Sequence, residues 1–268
     1  MNQRSPRASV VVPAFNAERY LRDTIASVLA QTERDWELVI VDDQSTDRTF
    51  AIAESFAKMD PRIRVIRSPR NFGGPAGPRN IGVRAAEARW VAFLDADDLW
   101  HPEKLRIQLE ALAVTGTRFC SSAMFDFVDG TIVEFPGVGS PPMKRIGFMS
   151  QLVKFRTPTS SVVCERAILL RHPFNESPAY KAREDMDCWL ACIEEAGDSI
   201  KLLAPLMAYR KSVNQISRNK VRILMRHFHV LRHYRRRDGK PLGWLGAAVF
   251  TATHCAYALP SRLMLGRM

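Results

Sequence analysis

Asp95, Asp97 and Asp98 stand within four positions of one another, where the apolar run Trp90-Val-Ala-Phe-Leu94 ends. On an extended backbone alternate side chains point the same way, so Asp95 and Asp97 would share one ligand with the small Ala96 between them. Paired carboxylate oxygens suit Mg²⁺ or Mn²⁺, hard cations that take one or two carboxylates and fill the remaining positions with phosphate oxygens and water. The chemistry to expect at this point is the holding of a divalent cation and a diphosphate. Three further groups have the right character to join it. Asp42 and Asp43 close a second apolar run, Trp36-Glu-Leu-Val-Ile-Val41. Arg79 follows the stretch Gly73-Gly-Pro-Ala-Gly-Pro78, whose lead into a helix offers unpaired N–H groups to an anion. Glu184 and Asp185 open a helix, a position where the helix dipole favours acidic residues for purely structural reasons.

The elements that must position these groups follow from periodicity. Residues 9–15 read as a buried strand and 17–31 as a helix with Leu21, Ile25, Val28 and Leu29 on one face. A strand at 36–41 is followed by Ser45-Thr-Asp47 as a cap and a helix at 48–58, then a strand at 62–67, a helix at 77–88 and a strand at 90–94. Such alternation predicts an α/β fold, a mostly parallel sheet with helices on both faces and its ligand crevice at the carboxyl ends of the strands. Asp43, Arg79, Asp95 and Asp97 fall at that edge. Beyond residue 100 the alternation breaks. Helices are expected at 101–114, 148–155 and 165–171, strands at 117–125, 131–135 and 159–164, and a loop at 136–142. The helix opening at Glu184 would bury Trp189, Leu190 and Ile193.

Composition bounds the function. The 268 residues are 46% hydrophobic and 25% charged, which excludes a disordered chain and allows one large domain with an appendage. A net charge of +11 favours anionic partners. The five cysteines are odd in number and form no CxxC, as expected of core thiols in a reducing, cytoplasmic setting. Residues 1–8 are polar and basic and the apolar run after them is too short for a secretory core, so no leader is expected. Neither GxGxxG nor GxxxxGK[ST] occurs, which disfavours a dinucleotide oxidoreductase or a P-loop ATPase.

The ordered set Val10-Val-Val-Pro-Ala-Phe-Asn16, Val41-Asp-Asp-Gln-Ser-Thr-Asp47, Gly77-Pro-Arg-Asn80, Phe93-Leu-Asp-Ala-Asp-Asp-Leu-Trp100 and Glu184-Asp185 resembles the family 2 glycosyltransferases, inverting enzymes of the GT-A fold. The resemblance covers roughly residues 8–215. It implies a Rossmann-like nucleotide-sugar-binding sheet at 1–217, divided into a nucleotide-binding half (8–100) and an acceptor-binding half (101–217), with a helical appendage at 218–268. It implies that Pro13, Ala14, Phe15 and Asn16 belong to the nucleoside pocket, with Asp43 accepting from the base and Asp42 beside it. Arg79 would serve the nucleotide side, Asp95 the ribose or the metal, and Asp97 the metal. Asp185 matches the general base that deprotonates an acceptor hydroxyl, supported by Glu184. The histidine that many relatives carry after a late Tyr-Arg is absent from Tyr209-Arg-Lys-Ser-Val-Asn-Gln-Ile-Ser217, which leaves Arg210 or Lys211 to close over the diphosphate. The QxxRW motif of processive synthases is absent too, so a single transfer per encounter is expected.

Between Arg218 and Lys240 the chain is dense in Arg, His and Lys with Leu224, Phe228, Leu231 and Tyr234 interleaved, and Leu242 to Leu259 is mostly apolar. Basic and apolar stretches together predict docking on an anionic membrane face through an interfacial helix, the apolar stretch being at the short end for a span. The expected enzyme moves one sugar from a nucleotide diphosphate sugar, uridine-linked by expectation, to a hydroxyl of a glycan or lipid-linked glycan in surface or exopolysaccharide assembly. It would act at the cytoplasmic face of the inner membrane. Nucleic acid is not an expected partner, because no recognition motif accompanies the charge. The competing readings are a nucleotidyltransferase on a similar sheet and a non-catalytic nucleotide-binding subunit of a glycan assembly complex.

Overall fold

The computed structural model of the chain describes residues 5–155, 157–211 and 220–258. The first half alternates β1 (Ala8–Ala14), α1 (Leu21–Leu29), β2 (Trp36–Asp42), α2 (Thr49–Met59), β3 (Ile63–Arg67), α3 (Ala76–Ala85) and β4 (Trp90–Phe93). β1 pairs in parallel with β2 and β4, and β2 with β3. The crossover helices therefore bring every one of these carboxyl ends to the same edge. α1 starts at Leu21 rather than at Ala17. Asn16 takes a left-handed φ of 47°, and the amides of Tyr20 and Leu21 both donate to the Ala17 carbonyl in a preceding turn.

The second half adds β5 (Leu99–Trp100), α4 (Lys104–Thr115), β6 (Phe119–Val128), β7 (Met143–Arg145), α5 (Phe148–Val153), β8 (Val163–Glu165), α6 (Arg166–Arg171), α7 (Glu184–Ala196) and β9 (Ile200–Lys211). These strands extend the same sheet, in the order β3-β2-β1-β4-β8-β6-β9-β5, with β7 on β9. β8 lies antiparallel between β4 and β6, and β9 runs parallel to β6. This half departs from the sequence reading at several points, the short strands β5 and β7 among them. Residues 131–135 form no strand: Ile132 is 91% exposed, and Phe135 folds back edge-on against Phe125 and His101. Thr159–Ser161 is a 3₁₀ turn ahead of β8. β9 was not anticipated, because Lys201 and Pro205 interrupt its apolar run; the sheet absorbs Pro205 by slipping register between Ser122 and Met124.

Helices cover both faces. Val10 and Val12 of β1 pack with Leu21 and Ile25 of α1, Ile52 of α2 and Leu105 of α4. Val11 points the other way, with Val83 of α3, Ile168 of α6 and Trp189 and Ile193 of α7. This is the period of two written into Val10-Val-Val12. Trp189 is fully buried, with its ring centroid 5.1–5.6 Å from those of Phe93, Phe119 and Phe174. Gly82 of α3 sits so close to β1 that a Cβ there would stand 2.3 Å from Val11. The appendage consists of α8 (Lys220–His233) and α9 (Gly243–Ala258). Leu231, Tyr234 and Ala247 form a third core with Leu152 of α5 and Met186 and Leu190 of α7. Among the described residues no helix is long and apolar enough to cross a membrane.

Candidate active site

β4 ends at Phe93, and Asp95 to Asp98 close a turn in which the Asp98 amide donates to the Asp95 carbonyl at 3.1 Å. The extended geometry expected for Asp95 and Asp97 is thus replaced by a turn. The turn still leaves Asp95 and Asp97 half-buried and turns Ala96 and Asp98 inward. Asp98 is structural: its carboxylate accepts from the Ser160 hydroxyl at 2.6 Å and from the Arg210 amide at 3.1 Å. Burial, with the like charges of Asp97 and Asp95, pushes its pKa well above the usual carboxylate range. Asp97 is pushed up to about 6 by burial and by the neighbouring charge of Asp95.

Arg79, 4% exposed, joins this turn to α7. One terminal nitrogen donates to Asp95 at 2.7 Å and the other to Glu184 at 3.3 Å, and the guanidinium lies over the Phe174 ring at 5.3 Å. The sequence reading aimed Arg79 at the nucleotide; in the structure both terminal nitrogens are committed to protein carboxylates. Glu184 is buried with Oε2 lacking a hydrogen-bond partner, and its pKa is raised by burial and by Asp185 against the pull of Arg79. Asp185 is half-buried, and its Oδ1 accepts from the Met186 amide at 2.7 Å. Before α7, Ala182 holds a φ of +64°. It shares this left-handed conformation with Asn16 and Gln44, the only other described non-glycine residues to adopt it, and both of those lie in loops after β1 and β2. Strain of this kind collects where loops are held for function.

The β1 and β2 ends form one network. Asn16 accepts from the Thr46 amide at 2.9 Å, and its own amide donates to the Ser45 hydroxyl at 3.0 Å. Asp42 is fully buried, accepting from the Ser45 amide at 3.2 Å with Oδ1 left without a partner. Asp43 accepts from the Phe72 amide at 3.0 Å and the Ser68 hydroxyl at 3.1 Å, and burial raises its pKa despite these bonds. Pro13 and Ala14 are buried at the end of β1, and Phe15 is 51% exposed beside them. Phe72 to Gly77, at the start of α3, line a cavity of about 200 Å³ that reaches Glu184 and Lys181.

Several supporting residues lie outside the motifs. Ser160 donates to Asp98 and accepts from the Asp95 amide, while its carbonyl receives the Trp100 indole at 2.7 Å. Arg210 and Lys211 end β9 rather than sitting in a loop. Arg210 donates to the Asp97 carbonyl at 2.8 Å and pairs with Asp129 at 2.8 Å, and Lys211 pairs with Asp126 at 2.6 Å. Residues 212–217 of the late segment, Ser212 and Asn214 included, lie outside the described residues, as does the 217/218 boundary. Among the described residues no group of three or more potential ligands could enclose a metal. The chain instead offers Asp97 and Asp95, close enough to raise the pKa of Asp97. Two carboxylates whose repulsion a cation relieves, with other positions left for diphosphate oxygens and water, fit Mg²⁺ or Mn²⁺.

Residues 9–176 match the family described as Glycosyl transferase family 2. The chain is 32% identical over 239 residues to the putative teichuronic acid biosynthesis glycosyltransferase TuaG of Bacillus subtilis, covering 88% of this chain and 91% of that protein. It is 32% identical over 224 residues to the UDP-Glc:alpha-D-GlcNAc-diphosphoundecaprenol beta-1,3-glucosyltransferase WfgD of Escherichia coli, covering 83% and 84%. In fold it is similar to S. aureus TarS 1-349 in complex with UDP-GlcNAc, with a TM-score of 0.69 at 19% identity over 93% of this chain and 71% of that one. The mannosyltransferase PcManGT from Pyrobaculum calidifontis, in complex with GDP-Man and Mn²⁺, gives 0.62 at 17% identity over 98% and 79%.

Proposed function

The chain belongs to glycosyl transferase family 2 and is an enzyme that transfers glycosyl groups, and from that premise we propose that it moves one sugar from a UDP-sugar to a hydroxyl of a lipid-linked glycan with inversion at the anomeric carbon. The observation that carries this reading is the bridge Asp95–Arg79–Glu184, which holds the acidic turn after β4 against the first turn of α7. The donor diphosphate then lies on the Asp95/Asp97 side and the acceptor on the α7 side. Asp185 accepts the proton of the acceptor hydroxyl as its oxygen attacks the anomeric carbon, and the bond to the nucleoside diphosphate breaks on the opposite face. Glu184, fixed by Arg79, positions Asp185. Asp97 and Asp95 would hold a divalent cation, which would supply neutralisation of the charge on the leaving diphosphate. Phe15 offers an aromatic face to the uracil, and Asp43 sets the edge that receives it, with the buried Asp42 behind it.

A uridine donor and a lipid-linked acceptor are supported by the similarity to WfgD, which uses UDP-Glc and a diphosphoundecaprenol-linked acceptor. A peripheral position on the cytoplasmic face of the inner membrane is supported by α9, whose outer face exposes Trp244, Leu245 and Val249, and by the exposed run Arg235-Arg-Arg237 with Lys240 that precedes it. A neutral apolar face beside a cationic turn is the composition of an interfacial helix. The test pairs calorimetric UDP binding, with and without Mn²⁺, with an assay of sugar transfer to membrane-extracted acceptors. Asp97→Asn should abolish the metal-dependent part of UDP binding. Asp185→Asn should leave UDP binding intact and lower transfer by about a thousandfold, within the range of general base catalysis. Transfer above a tenth of the wild-type rate in Asp185→Asn removes Asp185 as base. Folded protein that ignores UDP under both conditions removes the uridine donor.

A further inference from the structure

The cavity of about 200 Å³ that reaches Glu184 has Pro178 among its lining residues, and Pro178 also lines a second depression, an open groove of about 650 Å³ between the 3₁₀ turn Pro178–Tyr180 and α8. The α8 side of that groove is a single helical face. Val221 and Met225, 71% and 68% exposed, alternate along it with Arg222, Arg226 and His229. The opposite face of α8, with Val230 and Leu231, is buried. Arg226 donates to the Lys181 carbonyl at 2.8 Å, which ties the groove to the segment leading into Glu184. No carboxylate is among the described residues that line the groove. The cavity beside Glu184 does carry carboxylates, Glu176 and Glu184 itself, groups that suit sugar hydroxyls.

We propose that the groove between residues 178–180 and α8 binds the diphosphate and first isoprene units of a prenyl diphosphate-linked acceptor, while the cavity beside Glu184 holds its sugar. Arg222, Arg226 and His229 donate to the diphosphate, and Val221 and Met225 flank the chain that leaves it. A guanidinium pair suits a diphosphate better than a single anionic headgroup, because each fork engages two oxygens. Pro178 lines both depressions, so they adjoin, and the proposed order sugar, diphosphate, lipid runs outward from Glu184. The proposal rests on the lipid-linked acceptor of the preceding section and names the part of the chain that reads it.

The test is calorimetric binding of farnesyl diphosphate to the full chain saturated with UDP and Mg²⁺, so that the donor site is filled. Farnesol and inorganic diphosphate serve as comparison ligands. The Arg222→Gln/Arg226→Gln variant should bind farnesyl diphosphate at least tenfold more weakly with UDP affinity unchanged. Val221→Ser/Met225→Ser alters only exposed side chains, so it keeps the fold; it should weaken farnesyl diphosphate several-fold and leave inorganic diphosphate unaffected. Equal affinity in the wild type and both variants overturns the groove, as does UDP-binding wild type that ignores farnesyl diphosphate. So does an arginine variant that loses phosphatidylglycerol vesicles and keeps farnesyl diphosphate, since α8 then reads headgroups. If UDP itself does not bind, the donor reading fails separately. The same titration without UDP then decides the groove: discrimination by the variants upholds it, and its absence overturns it.

Discussion

Arg79 and Lys104 are both buried cations, and they differ in what compensates them. Arg79 has two carboxylates, one of them 105 positions away along the chain, and its pKa is raised by their charges against the cost of burial. Among the described residues Lys104 has the Gln108 side-chain oxygen at 2.5 Å and the Trp100 ring at 4.0 Å and no carboxylate, and burial pulls its pKa down to about 7 from an ordinary 10.5. The sign of the pH dependence follows. Between these two values the unfolded chain binds a proton at Lys104 that the folded chain does not, so stability rises with pH across that window. Denaturant unfolding should show stability gained between pH 7 and 9.5, at up to about 1.4 kcal/mol per pH unit. Lys104→Met should flatten that rise and gain most at pH 6. A wild-type profile level from pH 7 to 9.5 would show that Lys104 keeps its charge.

α3 is the element on which the site depends, because it carries Arg79 and packs Gly82 directly on Val11 of β1. Its placement is fixed at the other side by Asn80, which donates to the Phe174 carbonyl and accepts from the Phe174 amide, each at 2.9 Å. A methyl group at Gly82 must push the helix away from the strand, since the contact is a branched side chain on a central, fully buried position. Gly82→Ala should cost about 1–3 kcal/mol by overpacking, despite the better helix propensity of alanine. It should also weaken UDP binding, because Arg79 moves with the helix. Urea melts and UDP titration of the same variant check both; unchanged stability would mean that β1 yields easily.

At the scale of the whole molecule, the appendage brings exposed cationic and exposed apolar side chains next to each other. Trp244 and Leu245 are 64% and 74% exposed at the start of α9, next to the cationic turn, while the inner residues of α8 and α9 close the third core against α7. The inner face of this helical pair packs on the domain, and the outer face is the one left for the membrane contact proposed above. Co-sedimentation with phosphatidylglycerol vesicles should occur at low salt, weaken as salt screens the arginines, and drop several-fold in Trp244→Ser/Leu245→Ser. Equal sedimentation of that variant would leave charge alone as the attraction.

The parallel half of the sheet, its helices on both faces and the placement of Asp43 and Asp95 at strand ends were legible from the chain because they rest on local periodicity: Val10-Val-Val12 already divides its side chains between two cores. The family motifs were legible for the same reason, being short and contiguous. β9 and the insertion of β8 beside β4 were not, since strand order depends on pairing partners far apart in the chain and on a register slip that accommodates Pro205. Nor was the use of Arg79 as the tie between Asp95 and Glu184, or of Ser160 and Arg210 as the groups that fix the acidic turn. Spacing along the chain names the residues able to do chemistry. Which of them face each other depends on how the sheet and helices close in space, because a buried charge takes whatever partner the packing brings within reach.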